Sequence, residues 1–180
     1  MPDPKLTGGP TQDEILAVSL QKLSLRSTDK VLEIGCGTGK VSVAMAKLAQ
    51  QIYSLDIRPD AISVASNAAR DAGVSNIDFF CREAGDFLRN DQVFDCAFVG
   101  GSKNLREILP VLAKKVKRTI VINAVLVSTL EHALASLKDL GIFTEVVQVQ
   151  VSRSYEIAGS IMFRPIDPVY IIVARGAACS

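Results

Sequence analysis

The 180-residue sequence predicts an α/β protein with a mostly parallel central sheet and a C-terminal antiparallel hairpin. Three observations predict it. Apolar runs of strand length alternate with segments of helical periodicity between residues 30 and 140, the pattern of right-handed βαβ units. A glycine-rich turn, Gly35-Cys-Gly-Thr-Gly39, separates the apolar run Val31-Leu-Glu-Ile34 from a helix starting near Lys40. Two strand-like runs at 143–152 and 161–174 leave no room for a crossover helix, so they must pair antiparallel, as a hairpin or across a long loop.

The elements follow in order. After the Gly8-Gly9-Pro10 lead-in, Thr11-Gln-Asp-Glu14 has the form of a capping box, in which the Thr11 hydroxyl accepts the Glu14 N–H and the carboxylate reaches back. It opens a helix to about Leu25, with Leu16, Leu20 and Leu23 on one face. Strands are predicted at 30–35, 51–56, 77–81, 94–99 and 118–123, and helices at 39–50, 60–72, 84–90, 104–115 and 127–140. The last helix has the stripe Val127, Leu130, Leu134, Leu137, and His132, the single histidine, lies off it as an exposed residue. Residues 1–180 are read as one domain with a flexible lead-in at 1–10, since this length supports one sizeable core and not two ordinary ones.

The glycine loop is where ligand chemistry enters. A sharp strand-to-helix turn needs residues that tolerate positive φ, and Gly35, Gly37 and Gly39 let ligand atoms approach the main chain. Asp56 ends the next apolar run, where a carboxylate can accept hydrogen bonds from both hydroxyls of a ribose. A dinucleotide site would carry its third small residue where Lys40 stands; here the glycine comes one residue earlier, at Gly39.

Composition removes several function classes. Lys and Arg exceed Asp and Glu by one, giving a net charge of +1 and no long-range attraction for nucleic acid or an anionic membrane. The basic run Lys114-Lys-Val-Lys-Arg118 is read as a solvated helix end. Cys36, Cys81, Cys96 and Cys179 show no paired spacing, so neither a metal site nor a disulfide framework is expected, and Cys81 and Cys96 read as small core residues. No signal pattern or membrane-length apolar stretch is present, so a cytoplasmic location is expected.

The pattern Glu33 to Gly39, with Asp56 beyond it, resembles motif I of the class I S-adenosylmethionine (SAM)-dependent methyltransferases. The resemblance implies their Rossmann-like fold, with the loop holding the methionine portion of SAM. Further segments resemble one subfamily, CbiT, the decarboxylating cobalt-precorrin/precorrin C-15 methyltransferases of cobalamin biosynthesis. These are Gly9 to Glu14, Phe94 to Ser102, Asn123-Ala-Val with Thr129-Leu, Val151 to Ser154, Met162-Phe and Asp167-Pro-Val169. By that resemblance the SAM site comprises Thr11, Glu33, Gly35, Cys36, Gly37, Thr38, Gly39, Asp56, Glu83 and Ala84. Glu83 would accept from the adenine amino group and the Ala84 N–H would donate to the ring, with Gly85-Asp86 as a rival alignment.

The same resemblance implies attack of a tetrapyrrole meso carbon on the SAM methyl, with loss of the ring C acetate as carbon dioxide. No catalytic acid or base is assigned, because the sulfonium already activates the methyl and alignment is the main requirement. Gly100, Gly101 and Ser102 follow the fourth strand, over the methyl group. Lys103, Arg153 and Arg164 are the candidates for holding substrate carboxylates, and Tyr155 could stack on the macrocycle or serve as rim packing. Cys36 lacks a nearby histidine and is not read as a nucleophile. A homotetramer is expected as in the family, through the C-terminal hairpins. So is a separately encoded partner methyltransferase, since the chain has no room for the second domain that some relatives fuse. The rival readings are a tRNA adenine methyltransferase, a non-catalytic SAM-binding protein and, third, a dehydrogenase.

Overall fold

The computed structural model describes residues 11–101 and 103–178. Its first helix, α1 (Asp13–Leu23), leads into the alternation β1 (Lys30–Ile34), α2 (Lys40–Ala46), β2 (Gln51–Asp56), α3 (Pro59–Asp71), β3 (Ile77–Cys81), α4 (Ala84–Phe87), β4 (Phe94–Val99), α5 (Leu105–Lys115), β5 (Val116–Ala124) and α6 (Val127–Asp139). Four strands complete the chain: β6 (Phe143–Val149), β7 (Ser152–Ile157), β8 (Ser160–Pro165) and β9 (Val169–Arg175).

Seven strands form one sheet in the order β3-β2-β1-β4-β5-β9-β6, parallel from β3 to β5 and antiparallel on both sides of β9. Successive strand residues face opposite layers. Leu32, Ala97 and Ile120 join the core under α4, α5 and α6, while Val31, Cys96 and Val121 join the core under α1 and α2. Burial on both faces explains why these strands read as continuous apolar runs. The strand order reverses between β1 and β4, and the turns after these two strands lie side by side, Gly100 N–H donating to the Ile34 carbonyl at 2.8 Å. Ligands of open α/β sheets bind at such a switch point.

Several sequence expectations need correction. The capping box does not form: Gln12 is the N-cap of α1 with no side-chain cap bond, and the Glu14 carboxylate is drawn instead to Arg153 at 2.8 Å. The α6 stripe is rotated, with Thr129, Ala133 and Leu137 buried and Val127 65% exposed. Cys96 is buried as expected, but Cys81 is exposed at the end of β3, the edge strand. Of the basic run, Lys117 and Arg118 belong to β5, and Arg118 grips the buried Asp29 through both carboxylate oxygens at 2.7 and 2.8 Å.

The tail is a pair within a pair. β6 and β9 do pair antiparallel, and the connection between them is itself a ribbon, β7–β8, hydrogen-bonded as a separate two-stranded sheet. Ala158 and Gly159 turn the ribbon with positive φ at both positions, as a two-residue hairpin loop requires. Arg153 and Arg164 stand opposite each other across it, a like-charge pairing relieved by the Glu14 ion pair on one and the Tyr155 ring, 4.7 Å from the guanidinium, on the other.

Candidate active site at the switch point

β1 delivers the chain into a turn that only glycine fits. Gly35 has φ +87°, and a Cβ there would lie 2.8 Å from the Gly101 nitrogen; Gly39 has φ +77°, and a Cβ would lie 2.7 Å from the Ala65 Cα. These two glycines serve backbone packing. Gly37 differs: its φ is +54°, yet nothing lies within 4 Å of where a Cβ would be. Its N–H donates to Asp56 Oδ2 at 3.0 Å, tying the loop to the tip of β2.

Asp56 is the most heavily bonded group in the site. Oδ1 accepts from the Arg58 backbone N–H at 3.1 Å and from Nε at 2.9 Å, while Oδ2 accepts from Gly37 and from Arg58 Nη2 at 3.0 Å. Burial works to raise its pKa, but the Arg58 guanidinium and the two backbone N–H groups outweigh it and hold the carboxyl below its ordinary value.

Glu33 sits beneath the loop, fully buried. Its Oε2 accepts from the Ser42 hydroxyl and from the Ser54 hydroxyl, the latter at 2.6 Å, while Oε1 has no partner among the described residues. Burial, with the Asp56 charge adding to it, pushes the Glu33 carboxyl up to about 7 against those hydrogen bonds. Cys36 is also buried, and burial together with the charges of Glu33 and Asp56 pushes its thiol up to about 12. That excludes a thiolate nucleophile at neutral pH.

Two clefts open at the sheet edge. The first, about 270 Å³, is lined by Gly35, Asp56, Ile57, Arg58, Glu83, Ala84, Gly100, Gly101 and Lys103, among others. The second, about 370 Å³, lies over β4, β5 and the entry to β9; Thr11, Gln12, Ile15, Phe98, Asn123 and Asp167 line it. Gly100 lines both. A Cβ there would come within 3.1 Å of the Gly35 oxygen and 3.2 Å of the Phe98 ring, so the partition between the clefts is bare backbone.

The first cleft therefore gathers Gly35, Asp56, Glu83, Ala84, Gly100, Gly101 and Lys103, while Thr11 faces the second. Glu83 and Ala84, not Gly85 and Asp86, line the cleft, and Asn104 Nδ2 donates to Glu83 Oε1 at 2.7 Å. Gly37, Thr38 and Gly39 form the loop above buried Glu33 and Cys36. Arg153 and Arg164 stand on the exposed ribbon and line neither cleft, and Ser102 lies outside the described residues. Sequence reasoning missed Arg58 and Ile57; the signal for Arg58 was its place two residues beyond the acid that ends a strand. Among the described residues no cluster suits a metal ion, and no helix is long and apolar enough to cross a membrane.

These residues fit a nucleoside. Leu55, Ile57 and Ala84 offer apolar surface for a flat base, Asp56 offers a carboxylate at the ribose position, and Gly37 leaves the loop backbone open to close approach.

A family model described as a precorrin methyltransferase domain matches residues 5–175. The chain is 43% identical over 175 residues, 94% of this chain and 95% of the relative, to a probable cobalt-precorrin-6B C(15)-methyltransferase (decarboxylating) of Methanosarcina mazei. A relative of the same description from Methanosarcina acetivorans is 43% identical over 178 residues, covering 96% and 97%. Among solved structures, a precorrin 8w decarboxylase of Methanobacterium thermoautotrophicum superposes with TM-score 0.89 at 28% identity, covering 92% of this chain and 91% of that one. A precorrin-6y C5,15-methyltransferase from Geobacter metallireducens does so with TM-score 0.89 at 29% identity, covering 96% and 94%. A tRNA methyltransferase of Aquifex aeolicus, at 18% identity and TM-score 0.76, covering 98% of this chain and 73% of that one, shares the fold alone. The chain belongs to the precorrin methyltransferase family and is a SAM-dependent methyltransferase of the class I fold.

Proposed function

We propose that this protein methylates the C-15 meso carbon of a cobalt-precorrin or precorrin and removes the ring C acetate as carbon dioxide, a step of cobalamin biosynthesis. The observation that carries the reading is the likeness to the Methanosarcina relatives over nearly the whole of both chains. SAM supplies a methyl already activated by its sulfonium, so the protein's task is to hold the donor and the acceptor carbon in line and to keep water out.

The residues divide that task. Glu33, Gly35, Cys36, Gly37, Thr38, Gly39, Asp56, Glu83 and Ala84 form the donor half, with Asp56 and Glu83 accepting from the ribose and adenine and the glycines admitting the ligand to the backbone, and Thr11 contacts SAM from the side of the second cleft. Gly100, Gly101 and Ser102, which follow the fourth strand, bind the substrate. Lys103, Arg153 and Arg164 take peripheral carboxylates of the tetrapyrrole. Residues 1–180 act as one catalytic domain in the cytoplasm, and a separately encoded methyltransferase modifies the other meso position.

The ribbon supports self-association into a homotetramer. Ile161, Met162 and Phe163 are 74%, 48% and 68% exposed in succession on β8, a hydrophobic surface of the kind that marks protein contacts. Deleting the β7–β8 ribbon should convert a tetramer to a smaller species by light scattering; a monomer before deletion would overturn this assembly.

Methyl-labelled SAM incubated with the precorrin, with and without cobalt, tests the reaction. Label in the tetrapyrrole together with released carbon dioxide is expected; tight SAM binding with neither product would overturn the reading in favour of a non-catalytic SAM-binding protein. The tRNA alternative lacks support, because net charge +1 supplies no electrostatic footprint for RNA.

A further inference from the structure

The second cleft holds a polar group that the glycine loop, the donor half and the cation set leave unexplained. Asn123 lies near the carboxyl end of β5, one residue beyond Ile122, which pairs with Val99 of β4; it therefore stands level with Gly100 on the neighbouring strand. Its amide is half-buried, and its hydrogen-bond partner among the described residues is Ser19: Nδ2 lies 3.0 Å from the Ser19 Oγ and Oδ1 lies 3.1 Å from it. A primary amide has two donor hydrogens and two acceptor lone pairs, and a single hydroxyl can occupy at most half of them. Asn123 also lines the cleft.

Ser19 needs explaining as well. It is fully buried in α1, in line with Ile15 and Leu23 at four-residue spacing, where an apolar residue would pack better. Its hydroxyl donates to the Ile15 carbonyl at 2.8 Å, so it is itself fixed and can hold the Asn123 amide in one orientation. A buried hydroxyl in an apolar stripe is the second half of a built device.

Among the described residues the lining contains no lysine, arginine or histidine. Ile15, Phe98, Val125, Ile166 and Val169 make the apolar part of the wall, with Thr11, Gln12, Asn123 and the carboxylate of Asp167 as polar features. Such a place suits a carboxylate that is meant to leave. A cation would stabilise the ground state, whereas neutral polar groups among apolar side chains, with a negative charge nearby, hold it in position without neutralising it.

Resting on the reaction proposed above, we infer that Asn123, oriented by Ser19, seats the departing ring C carboxylate through a hydrogen bond, while the retained carboxylates go to the cations elsewhere. The spacing agrees with the chemistry. The acetate-bearing carbon of ring C lies three bonds from the methylated meso carbon, and adjacent strands are about 4.8 Å apart. A methyl delivered above Gly100 on β4 therefore puts the acetate over Asn123 on β5. Methylation makes the conjugated system electron-poor. The bond between the acetate methylene and its carboxylate then breaks, its electron pair passes into that system, carbon dioxide leaves, and a proton from water completes the new ring methyl. Asn123 contacts the substrate; Ser19 is a positioning residue.

The test separates methyl transfer from decarboxylation. Asn123→Asp, isosteric and repulsive to a carboxylate, should lower carbon dioxide release about tenfold or more, the loss expected for one hydrogen bond to a charged group. Methyl incorporation should fall less, so that a methylated product heavier by the mass of carbon dioxide accumulates. Ser19→Ala should give the same imbalance more weakly. SAM affinity measured by calorimetry should stay within about twofold for both variants, which also reports that they fold. Equal loss of methylation and decarboxylation, or unchanged release in Asn123→Asp, would overturn the assignment. A wild-type protein that performs neither step would sink the underlying reaction instead, and this assignment with it.

Discussion

The two sides of the switch point differ in how far their polar groups are already bonded within the protein. At the tip of β2, Asp56 accepts four hydrogen bonds, from Gly37 and three positions on Arg58. Near the end of β5, the described residues give Asn123 one partner, Ser19. The glycines follow the same division: Gly35 and Gly39 are pressed against backbone, while the second cleft is walled by side chains from four separate segments. The donor half is thus wired before any ligand arrives, and the acceptor half keeps hydrogen-bonding capacity in reserve.

The strongest attempt to break this comparison is in the loop. Gly39→Ala adds a Cβ against Ala65 at positive φ and should destabilise the protein by about 2–4 kcal/mol in denaturant unfolding. Gly37→Ala meets no neighbour and should cost only about 1–2 kcal/mol for the same backbone conformation, while weakening SAM binding. Equal stability losses would show that the loop is not divided between packing and ligand approach.

Glu33 sharpens the comparison through pH. Its folded pKa, about 7, lies above the ordinary 4.5, so the folded state binds this proton more tightly than the unfolded one. The contribution to stability is complete below pH 4.5 and is lost as pH rises through 7, by up to about 3 kcal/mol. Glu33→Gln should flatten that decline in melts taken across pH 4 to 8. A wild-type profile as flat as the variant's would show the buried carboxyl to be solvated.

The smallest effect belongs to Arg58. Ribose hydroxyls must share or displace bonds that Arg58 makes to Asp56, and its positive charge repels a cationic ligand. Arg58→Ala should therefore tighten SAM binding about twofold to fivefold (~0.4–1 kcal/mol). Asp56→Asn should weaken it. Looser binding in Arg58→Ala would make the arginine a ligand contact instead of a competitor.

Much of this was legible in the sequence, for identifiable reasons. Strand β4 falls on the expected residues because a parallel strand buried on both faces reads as an apolar run, and β2 and β3 do so because short apolar-rich runs are bounded by helices and turns. The loop and Asp56 were legible because their chemistry is local. Three features were not. The β7–β8 ribbon escaped because its exposed strands carry no burial pattern. The Glu14–Arg153 ion pair, which removes the capping box, joins residues 139 apart. The second cleft assembles Thr11, Phe98, Asn123 and Asp167 from distant segments, so no spacing announces it.

The position of β9 has a consequence for synthesis on the ribosome. It lies between β5 and β6 in the sheet, yet it is made after both. Until residues 169–175 emerge, β5 has a bare edge and β6 has no strand to join, so the nascent chain exposes unpaired backbone beside apolar side chains such as Ile120 and Ile122. Closure of the sheet therefore waits for β9, and the interval before it is when this chain is most open to chaperone capture or to pairing with a neighbouring copy.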